Sequence, residues 1–356
     1  MALLLAGIDE AGYGPTLGPL CVATSVFRIE EHEASKVPDL WKVLERGICR
    51  EPGRGGKTDA KGRVAIGDSK ALKLSNSVKS THPLIHLERA VLSMVRLLKD
   101  PDRPDTSVGD SVATDSDLFR VLGCTLDSRR MHHACYSSTK NTLPLGQTAG
   151  ELAITAGLVR TTMERAKVSL EALRVKTIGE RDFNSIVIET HNKGETAIFG
   201  VGTHLKFLWE HYAAGGDAAK LGVVCDRLGG RASYGPMLER EVPGCKVETI
   251  EETDTRSRYV LTGNGPDGSP RRMGIAFLTE SESVHMPVAL ASMAAKYVRE
   301  LSMIRFNSHW NAMFRELNGR DIAPTAGYAT DARRWLDEVG NDVLGSKDRS
   351  DLVRIA

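Results

Sequence analysis

The 356-residue sequence lacks the features that mark zinc-binding, secreted and membrane-spanning proteins. Its six cysteines include no C-x-x-C pair, which argues against a thiolate zinc site and favours reduced thiols in a cytoplasmic protein. No stretch approaches the roughly 20 apolar residues that a transmembrane helix needs. The apolar start, Met1–Ala6, has no basic region and is too short for a signal peptide. We therefore expect a cytoplasmic protein with no membrane partner.

The sequence also has no excess of charge of either sign. Lys and Arg together number 47 and Asp and Glu number 46, which gives a net charge of +1. A polyanionic partner would therefore have to meet a local basic patch, because the whole molecule provides no attractive field. The hydrophobic fraction of 41% and the charged fraction of 26% are typical of a globular protein and exclude a wholly disordered or collagen-like chain.

Local hydrophobic patterns predict an α/β fold. Short apolar runs rich in β-branched residues predict strands, and apolar positions at helical spacing predict helices. The predicted strands are Leu3–Ile8, Leu20–Phe27, Ser185–Ile188, Leu221–Cys225, Tyr259–Thr262 and Met273–Leu278. The predicted helices are Val37–Ile48, Pro83–Leu98, Leu145–Lys176 (as one long helix or two consecutive ones), Glu195–Ala213, Tyr234–Glu241, Pro287–Phe306 and Asp331–Val339. Alternation of strands and helices in the second half indicates a sheet with a parallel part.

The chain is predicted to form one extended domain over residues 1–356, although at about 150 residues per domain its length would allow two. Polar stretches with glycine or proline predict flexible loops near 50–63 and 100–117. Residues from approximately 100 to 180 are predicted to form an inserted, mostly helical subdomain. Adjacent His132 and His133 lie in a polar stretch and are interpreted as a solvated pair rather than as metal ligands.

Two segments match nucleotide-binding sequence patterns, but the secondary structure predicted around them does not fit those motifs. Gly263–Gly268 matches G-x-G-x-x-G, but that fingerprint needs a helix after it, and here a strand-like segment follows. Gly55–Thr58 resembles the end of a P-loop, but Glu51 stands where its first glycine belongs and no strand precedes it. We reject both and predict a hairpin turn for the first.

Acidic residues lie at or near the ends of three apolar segments. They are Asp9 and Glu10, Asp226, and the pair Glu280 and Glu282. The carboxyl ends of strands are a common place for catalytic groups in open α/β sheets. Converging carboxylates repel one another unless a divalent cation neutralises them, and Mg²⁺ or Mn²⁺ suits a set of oxygen ligands. Two such ions can activate water and stabilise the leaving oxygen in phosphodiester cleavage. For each acid taken alone, an ordinary exposed position is the alternative.

The segment Gly7–Pro19 reads GIDEAGYGPTLGP and closely resembles the opening motif of the type 2 ribonucleases H (the ribonuclease HII/HIII family), usually D-E-A-G-R-G-P-x-x-G-P. Four weaker matches follow in family order: Gly67–Lys70, Val223–Asp226, Ala289–Lys296 and Gly327–Thr330. The resemblance implies a ribonuclease H-like fold, a mixed central sheet flanked by helices, in a divergent member with insertions. It also implies endonucleolytic hydrolysis of RNA in RNA–DNA hybrids, leaving a 5′-phosphate and a 3′-hydroxyl.

The resemblance further implies roles for individual residues. Asp9, Glu10, Asp226 and Glu282 would be both catalytic and metal-binding, with two Mg²⁺ or Mn²⁺ ions expected. Glu282 stands where the family has aspartate, and Glu280 is the competing candidate. The implied substrate-binding residues are Gly12, Tyr13, Gly14, Lys70, Lys296 and Tyr328.

Several of these substrate-binding residues have a second interpretation. Tyr13 replaces a family arginine and either contacts substrate or packs against a neighbouring loop. Tyr328 matches a family tyrosine that stacks on a sugar, although an aromatic side chain in such a turn is often a surface packing residue. Lys70 and Lys296 either hold a phosphate as point charges or balance the carboxylates.

Basic side chains near the acids are candidates for a duplex-binding groove, and scattered solvated charges are the alternative. They are Arg227, Arg231, Arg271, Arg272, Lys296, Arg299 and Arg305. The usual C-terminal R-R-S-F-x-P-V-type segment of the family is missing, and Arg349–Arg354 does not resemble it.

The expected partner is an RNA–DNA hybrid or a duplex that contains ribonucleotides, and two other functions stay open. The first is a nuclease of the same chemistry that acts on a different nucleic-acid structure, because Tyr13 and the inserted segments depart from the family. The second is a catalytically impaired nucleic-acid-binding paralogue. Glu282 motivates this alternative, because its side chain is one methylene longer than that of aspartate and the site is sensitive to displacements of about 1 Å.

Overall fold

The computed structural model describes residues 2–31, 37–100, 106–124, 134–213, 220–345, 349 and 351–355. His132 and His133 lie outside these residues. The strands are β1 (Leu3–Ala11), β2 (Leu20–Ile29), β3 (Ile48–Cys49), β4 (Val64–Ala65), β5 (Val168–Ile178), β6 (Lys220–Asp226), β7 (Cys245–Glu252), β8 (Arg256–Asn264) and β9 (Pro270–Leu278). The helices are α1 (Leu40–Val43), α2 (Ser69–Leu72), α3 (Ile85–Val95), α4 (Asp115–Val121), α5 (Ala149–Arg165), α6 (Glu180–Thr190), α7 (Gly194–His211), α8 (Gly235–Glu241), α9 (Met286–Asn318) and α10 (Ala329–Val343).

Seven strands form one mixed sheet in the order β5-β2-β1-β6-β9-β8-β7. β1 runs antiparallel to β2 and parallel to β6, and β6 runs parallel to β9. The carboxyl ends of β1, β6 and β9 therefore meet at one edge of the sheet. Helices cover the sheet, so the predicted mixed α/β sheet flanked by helices is confirmed.

Both faces of the central strands β1 and β2 are buried, and side chains alternate between these faces along each strand. On β1, Leu3 and Leu5 face one hydrophobic core together with α3, α5 and α9, whereas Leu4, Ala6 and Ile8 face a second core with α7 and α8. This burial on both sides explains why the strand reads as a continuous apolar run. Within the described residues, no helix is long and apolar enough to cross a lipid bilayer.

Gly7 lets α9 approach the sheet closely. A Cβ atom at this position would lie 2.2 Å from backbone atoms of Pro287 and Val288, so any other residue would push the helix away. The Ser25 hydroxyl donates to the Pro287 carbonyl at 2.8 Å and fixes the same contact from β2. The start of α9 is thereby held against β1, directly below the acidic edge.

Several predicted elements are wrong in type or extent, including the helix predicted over Pro287–Phe306, which continues to Asn318 as α9. Ser185–Ile188 belongs to α6, because Phe183, Ile186 and Val187 pack against the core at helical spacing. The helix predicted over Leu145–Lys176 ends at Arg165, and β5 follows as the partner of β2. Of Val37–Ile48, only the four residues of α1 are α-helical.

Two further segments differ from the prediction. The loop near 100–117 contains a short 3₁₀ helix, Val108–Ser111, and the start of α4, where Thr114 and Asp117 form a capping box. Strand β7 was not predicted because it is a largely exposed edge strand and four of its eight residues, Lys246, Glu248, Glu251 and Glu252, are charged. The predicted hairpin after Tyr259 is confirmed as β8 and β9, so Gly263–Gly268 is a turn. The interpretation of residues 100–180 as an insertion stays a prediction.

A buried ion pair joins α4 to α9. Arg305 Nε donates to Asp115 Oδ2 at 2.9 Å, and the two side chains are 1% and 0% exposed. Asp115 also accepts from the side-chain amide of Asn141 at 2.7 Å. A buried guanidinium is tolerated here because both its charge and its donors have partners.

We predict that Asp115→Ala lowers the free energy of unfolding by about 3–5 kcal/mol, because it leaves the Arg305 charge buried and uncompensated. Urea unfolding measures this change, and Asp110→Ala, at an exposed position on the same segment, serves as the control, with an expected change within about 0.5 kcal/mol. The double variant Asp115→Leu/Arg305→Met is expected to be more stable than Asp115→Ala. Equal stability of Asp115→Ala and wild type would contradict the interpretation.

Candidate active site

Four carboxylates converge at the edge where the parallel strands end. Asp9 and Glu10 lie near the end of β1, Asp226 is the last residue of β6, and Glu282 lies in the short 3₁₀ helix that follows β9. All four line one cavity of about 270 Å³. The parallel pairing of β1, β6 and β9 brings together residues that are more than 200 positions apart in the sequence.

The same cavity is lined by every substrate-binding residue that the resemblance implies. These are Gly12, Tyr13 and Gly14 from the loop after β1, Lys70 from α2, Lys296 from α9, and Tyr328 at the start of α10. Glu280 is absent from the described lining, and its backbone has a left-handed conformation with φ of 52°. The geometry therefore favours Glu282 over Glu280 as the fourth acid.

Two serines that the sequence analysis did not select bind the carboxylates, and a third, Ser69, contacts one of these two serines. The backbone N–H and the hydroxyl of Ser281 donate to Asp226 Oδ1 at 3.0 and 2.8 Å. The Ser292 hydroxyl donates to Glu282 Oε2 at 3.0 Å and lies 3.0 Å from the Ser69 hydroxyl. Ser69 and Ser292 lie within matched family segments, and Ser281 lies between Glu280 and Glu282. The sequence signal was therefore present but gave these residues no role.

Burial and mutual repulsion make the carboxylates hard to ionise together. Burial, followed by repulsion from Glu10, holds the pKa of Asp9 well above its usual value. Burial and repulsion from Asp226 raise the pKa of Glu10 to about 7, against an opposing attraction from Lys70. Burial also raises the pKa of Glu282, against the hydrogen bond from Ser292. The site therefore holds negative charge that its own cations do not neutralise.

The chemistry of this donor set fits a hard divalent cation. All four side chains offer carboxylate oxygens, which Mg²⁺ and Mn²⁺ prefer, and their repulsion is the kind that a bound cation relieves. In the described parts of the chain, no three His, Cys, Asp or Glu side chains are arranged to hold one ion as they stand. Hydrogen bonds from Ser281 and Ser292 engage one oxygen each of Asp226 and Glu282.

The two lysines have different surroundings. Lys70 acts electrostatically on both Glu10 and Glu282, so it already balances carboxylate charge. Lys296 Nζ lies 3.1 Å from Glu300 Oε1, one turn along α9. Both lysines also line the cavity, so a structural role and contact with a phosphate are compatible for each.

The two tyrosines lie at the rim of the cavity. Tyr13 packs partly against the core, and Lys193 Nζ lies 5.4 Å from the centre of its ring. Tyr328 is 48% exposed, and the Arg299 guanidinium carbon lies 5.5 Å from its ring centre. Tyr328 therefore has a ring surface available for stacking, whereas Tyr13 has both a packing contact and a cavity contact.

Comparison with known proteins found distant structural similarity. No protein-family model matches the chain, and no curated protein matches its sequence. The RNase HII of Archaeoglobus fulgidus, solved in complex with PCNA, is 14% identical with a TM-score of 0.39, over 99% of this chain and 94% of that chain. The ribonuclease H2 of Pyrococcus horikoshii is 13% identical with a TM-score of 0.43, over 99% and 92%. Bst-RNase HIII, in complex with Mn²⁺, is 14% identical with a TM-score of 0.37, over 98% and 64%. The function must therefore be argued from this chain's own residues.

We predict that the melting temperature of the metal-free protein falls as the pH rises from 5 to 8. A carboxyl whose pKa is raised to about 7 in the folded state favours folding while it is protonated, and that contribution is lost as the pH passes through 7. Glu10→Gln is expected to flatten the decline, and Mg²⁺ or Mn²⁺ is expected to oppose it at pH 8.

Thermal unfolding in EDTA, with and without added metal, measures this dependence. Glu316→Gln removes a carboxylate at an exposed position of α9 and is the matched control. An unchanged decline in Glu10→Gln would show that repulsion at Glu10 does not limit stability.

Proposed function

We propose that the protein is a metal-dependent endoribonuclease that hydrolyses RNA in RNA–DNA hybrid duplexes, leaving a 5′-phosphate and a 3′-hydroxyl. The observation that carries this proposal is the convergence on one cavity of four carboxylates, the glycine loop, two lysines and Tyr328. All of these residues except Glu282 lie in the five segments that resemble the type 2 ribonucleases H. A chance resemblance of five short segments has no reason to bring their key residues together.

Asp9, Glu10, Asp226 and Glu282 are the residues that would hold two divalent ions. When bound, the ions would supply an activated water and stabilise the leaving oxygen. Ser281 and Ser292 orient the carboxylates of Asp226 and Glu282, which restricts the positions of the ligand oxygens. Water rather than a protein side chain is the nucleophile in this proposal. The two serines that line the cavity, Ser69 and Ser292, are hydrogen-bonded to each other, and Ser292 also donates to Glu282.

The substrate would be held beside the acids by a small number of groups. Lys70 is placed to contact a phosphate, and Tyr328 offers a ring for stacking against a sugar or base. A neighbouring cavity of about 330 Å³ shares Glu10 and Tyr13 with the acidic cavity and is lined by Lys193 and Arg231. These two cations extend the charged surface along one direction from the acids, as a bound duplex requires.

Two arginines that the sequence analysis assigned to the groove cannot contact a duplex. Arg299 is 0% and Arg305 is 1% exposed. Arg305 pairs with Asp115, and Arg299 donates to the Ala326 carbonyl at 3.0 Å. Arg271 pairs with Asp267 on the hairpin. Among the candidate groups, Lys296 and Arg231 are the ones that line these cavities.

A catalytically impaired binding protein is the second candidate. It is favoured by the hydrogen bond that holds Glu282 to Ser292 and by the lack, in the described residues, of three acids arranged around one ion. The two candidates differ in one measurable respect, because both bind a hybrid but only the enzyme cleaves it.

We predict that Asp226→Asn abolishes cleavage of an RNA–DNA hybrid at saturating Mg²⁺ while the fold is retained. Loss of a partner that only orients a metal ligand costs about 10–100-fold, so loss of a ligand itself should cost more than about 100-fold. A gel cleavage assay with circular dichroism of the same sample measures both properties. Asp337→Asn, at an exposed position of α10, is the control, and full activity of Asp226→Asn would contradict the assignment.

We predict that the protein cuts a continuous RNA–DNA hybrid in preference to a DNA duplex with one ribonucleotide. Tyr13 removes the guanidinium that the family has at this position, and with it a charged phosphate contact. Tyr13→Arg is expected to raise cleavage of the single-ribonucleotide substrate relative to the hybrid, and Tyr212→Arg controls for the added charge. If the wild-type protein cuts neither substrate but binds the hybrid tightly, the protein is the catalytically impaired binding protein described above.

A further inference from the structure

One buried residue near the end of the chain binds the carbonyl groups of the glycine loop, residues 12–18. Arg354 is 4% exposed. Its Nη1 atom donates to the Gly12 carbonyl at 2.6 Å and to the Pro15 carbonyl at 3.4 Å, and its Nη2 atom donates to the Gly18 carbonyl. Its backbone N–H donates to the Thr16 carbonyl at 2.9 Å. One residue thus binds four carbonyls of a seven-residue loop.

The N–H groups at the C-terminal side of the loop are bound as well. Thr16 and Leu17 donate to the Gly327 carbonyl at 2.8 and 3.1 Å, and Gly18 donates to Glu180 Oε1 at 2.9 Å. These contacts fix the loop against the turn that leads to Tyr328. Within the described residues, the N–H groups of Tyr13 and Gly14 donate to no acceptor, although most backbone donors in proteins have a partner.

The bond from Arg354 to Gly12 determines where the Tyr13 N–H points. In a trans peptide the C=O and N–H groups point in opposite directions, so a Gly12 carbonyl turned towards the buried guanidinium turns the Tyr13 N–H away from it. Gly12, Tyr13 and Gly14 line the acidic cavity. The φ of Gly12 is +90°, a conformation that glycine adopts most readily. The Tyr13 N–H is therefore held on the cavity side of the loop, and the free N–H of Gly14 is the next donor along the chain.

An arginine suits this position better than any other side chain. Its planar fork reaches several carbonyls at once, whereas a lysine ammonium is a single point charge. The charge is stabilised by attraction to the buried Glu180 and by the Phe183 ring, whose centre lies 4.6 Å from the guanidinium carbon. Burial of the Arg354 charge is unfavourable in itself. The buried guanidinium nevertheless organises a loop that lines the cavity.

We propose that Arg354 is a positioning residue for substrate recognition, which holds the Tyr13 and Gly14 N–H groups so that they donate to an oxygen of the RNA strand's sugar–phosphate backbone. This inference rests on the proposed function, because it assigns the donors to that substrate. Arg354 does not touch the substrate and acts through the loop.

The test compares Arg354→Met with Arg349→Met, which removes a second arginine from the same terminal segment, one that contacts Asn341 instead of the loop. Amide hydrogen exchange of a peptide covering residues 10–20 is expected to be faster in Arg354→Met than in wild type and unchanged in Arg349→Met. The KM for the hybrid is expected to rise about tenfold or more in Arg354→Met, with a smaller change in kcat. Arg354→Lys, which keeps the charge but not the fork, is expected to lie between wild type and Arg354→Met, and it replaces Arg354→Met if that variant does not fold.

Binding of matched duplexes identifies the oxygen that is recognised. Weaker binding of the hybrid alone by Arg354→Met would assign a ribose hydroxyl, and an equal loss for the hybrid and its DNA counterpart would assign a phosphate. Both results support the inference. A wild-type protein that cuts and binds no ribonucleotide-containing duplex would contradict the proposed function, while hydrogen exchange would still test the loop. Equal exchange and equal KM in Arg354→Met and Arg349→Met, with an active wild type, would overturn the inference about Arg354.

Discussion

Parallel pairing of β1, β6 and β9 is the constraint on which the candidate site depends. Strands that run in the same direction place their carboxyl ends at one edge, and on each of these strands or just after it an acidic residue ends the apolar run. The register aligns Ile8 with Cys225 and Asp226 with Leu278, so Asp9 lies directly after the last pair of β1 and β6, and Asp226 lies in the last pair of β6 and β9. An antiparallel arrangement of the same strands would send Asp226 to the opposite edge.

This convergence is electrostatically unfavourable, and the surrounding residues reduce the penalty without removing it. Serine donors bind Asp226 and Glu282, and Lys70 acts on Glu10, yet the pKa of Glu10 is still raised to about 7. A purely structural acidic cluster would be expected to contain arginines in ion pairs. Here Arg299 and Arg354, which are buried beside the glycine loop, instead donate to backbone carbonyls. Retained repulsion of this kind is typical of a site that gains its stability when a cation binds.

Much of the fold could be predicted from the sequence, and the errors have a common cause. β1, β2 and β6 carry strong apolar patterns and are confirmed with ends that differ by at most three residues, whereas α9 is confirmed at its start but continues past the predicted end at Phe306 to Asn318. α6 and β5 are wrong in the prediction because a short apolar run fits either a strand or a helix, and only packing decides between them. Phe183, Ile186 and Val187 face the core as a helix, whereas β5 is fixed by its ten-residue pairing with β2. β7 has too little apolar character to be found without its neighbour β8.

The side chains of the candidate site could be predicted from the sequence, whereas the residues that support them could not. Side chains that resemble family motifs at short spacing, such as Asp9 and Lys70, could be found because the motif itself is local. Ser281 and Arg354 could not, since their roles arise from contacts with residues 55 and up to 342 positions away.

Burial is the property that separates the arginines of this protein, and no local pattern reveals it. Arg299 and Arg305 look like candidates for binding a polyanion, but they and Arg354 are buried and bind backbone carbonyls or a buried carboxylate. With a net charge of only +1, their removal from the surface leaves few cations around the acids. Recognition of a duplex would then depend on the direction of individual donors rather than on a broad electrostatic field. The geometry of the glycine loop, and of whatever holds it, consequently becomes as important to specificity as the charges beside it.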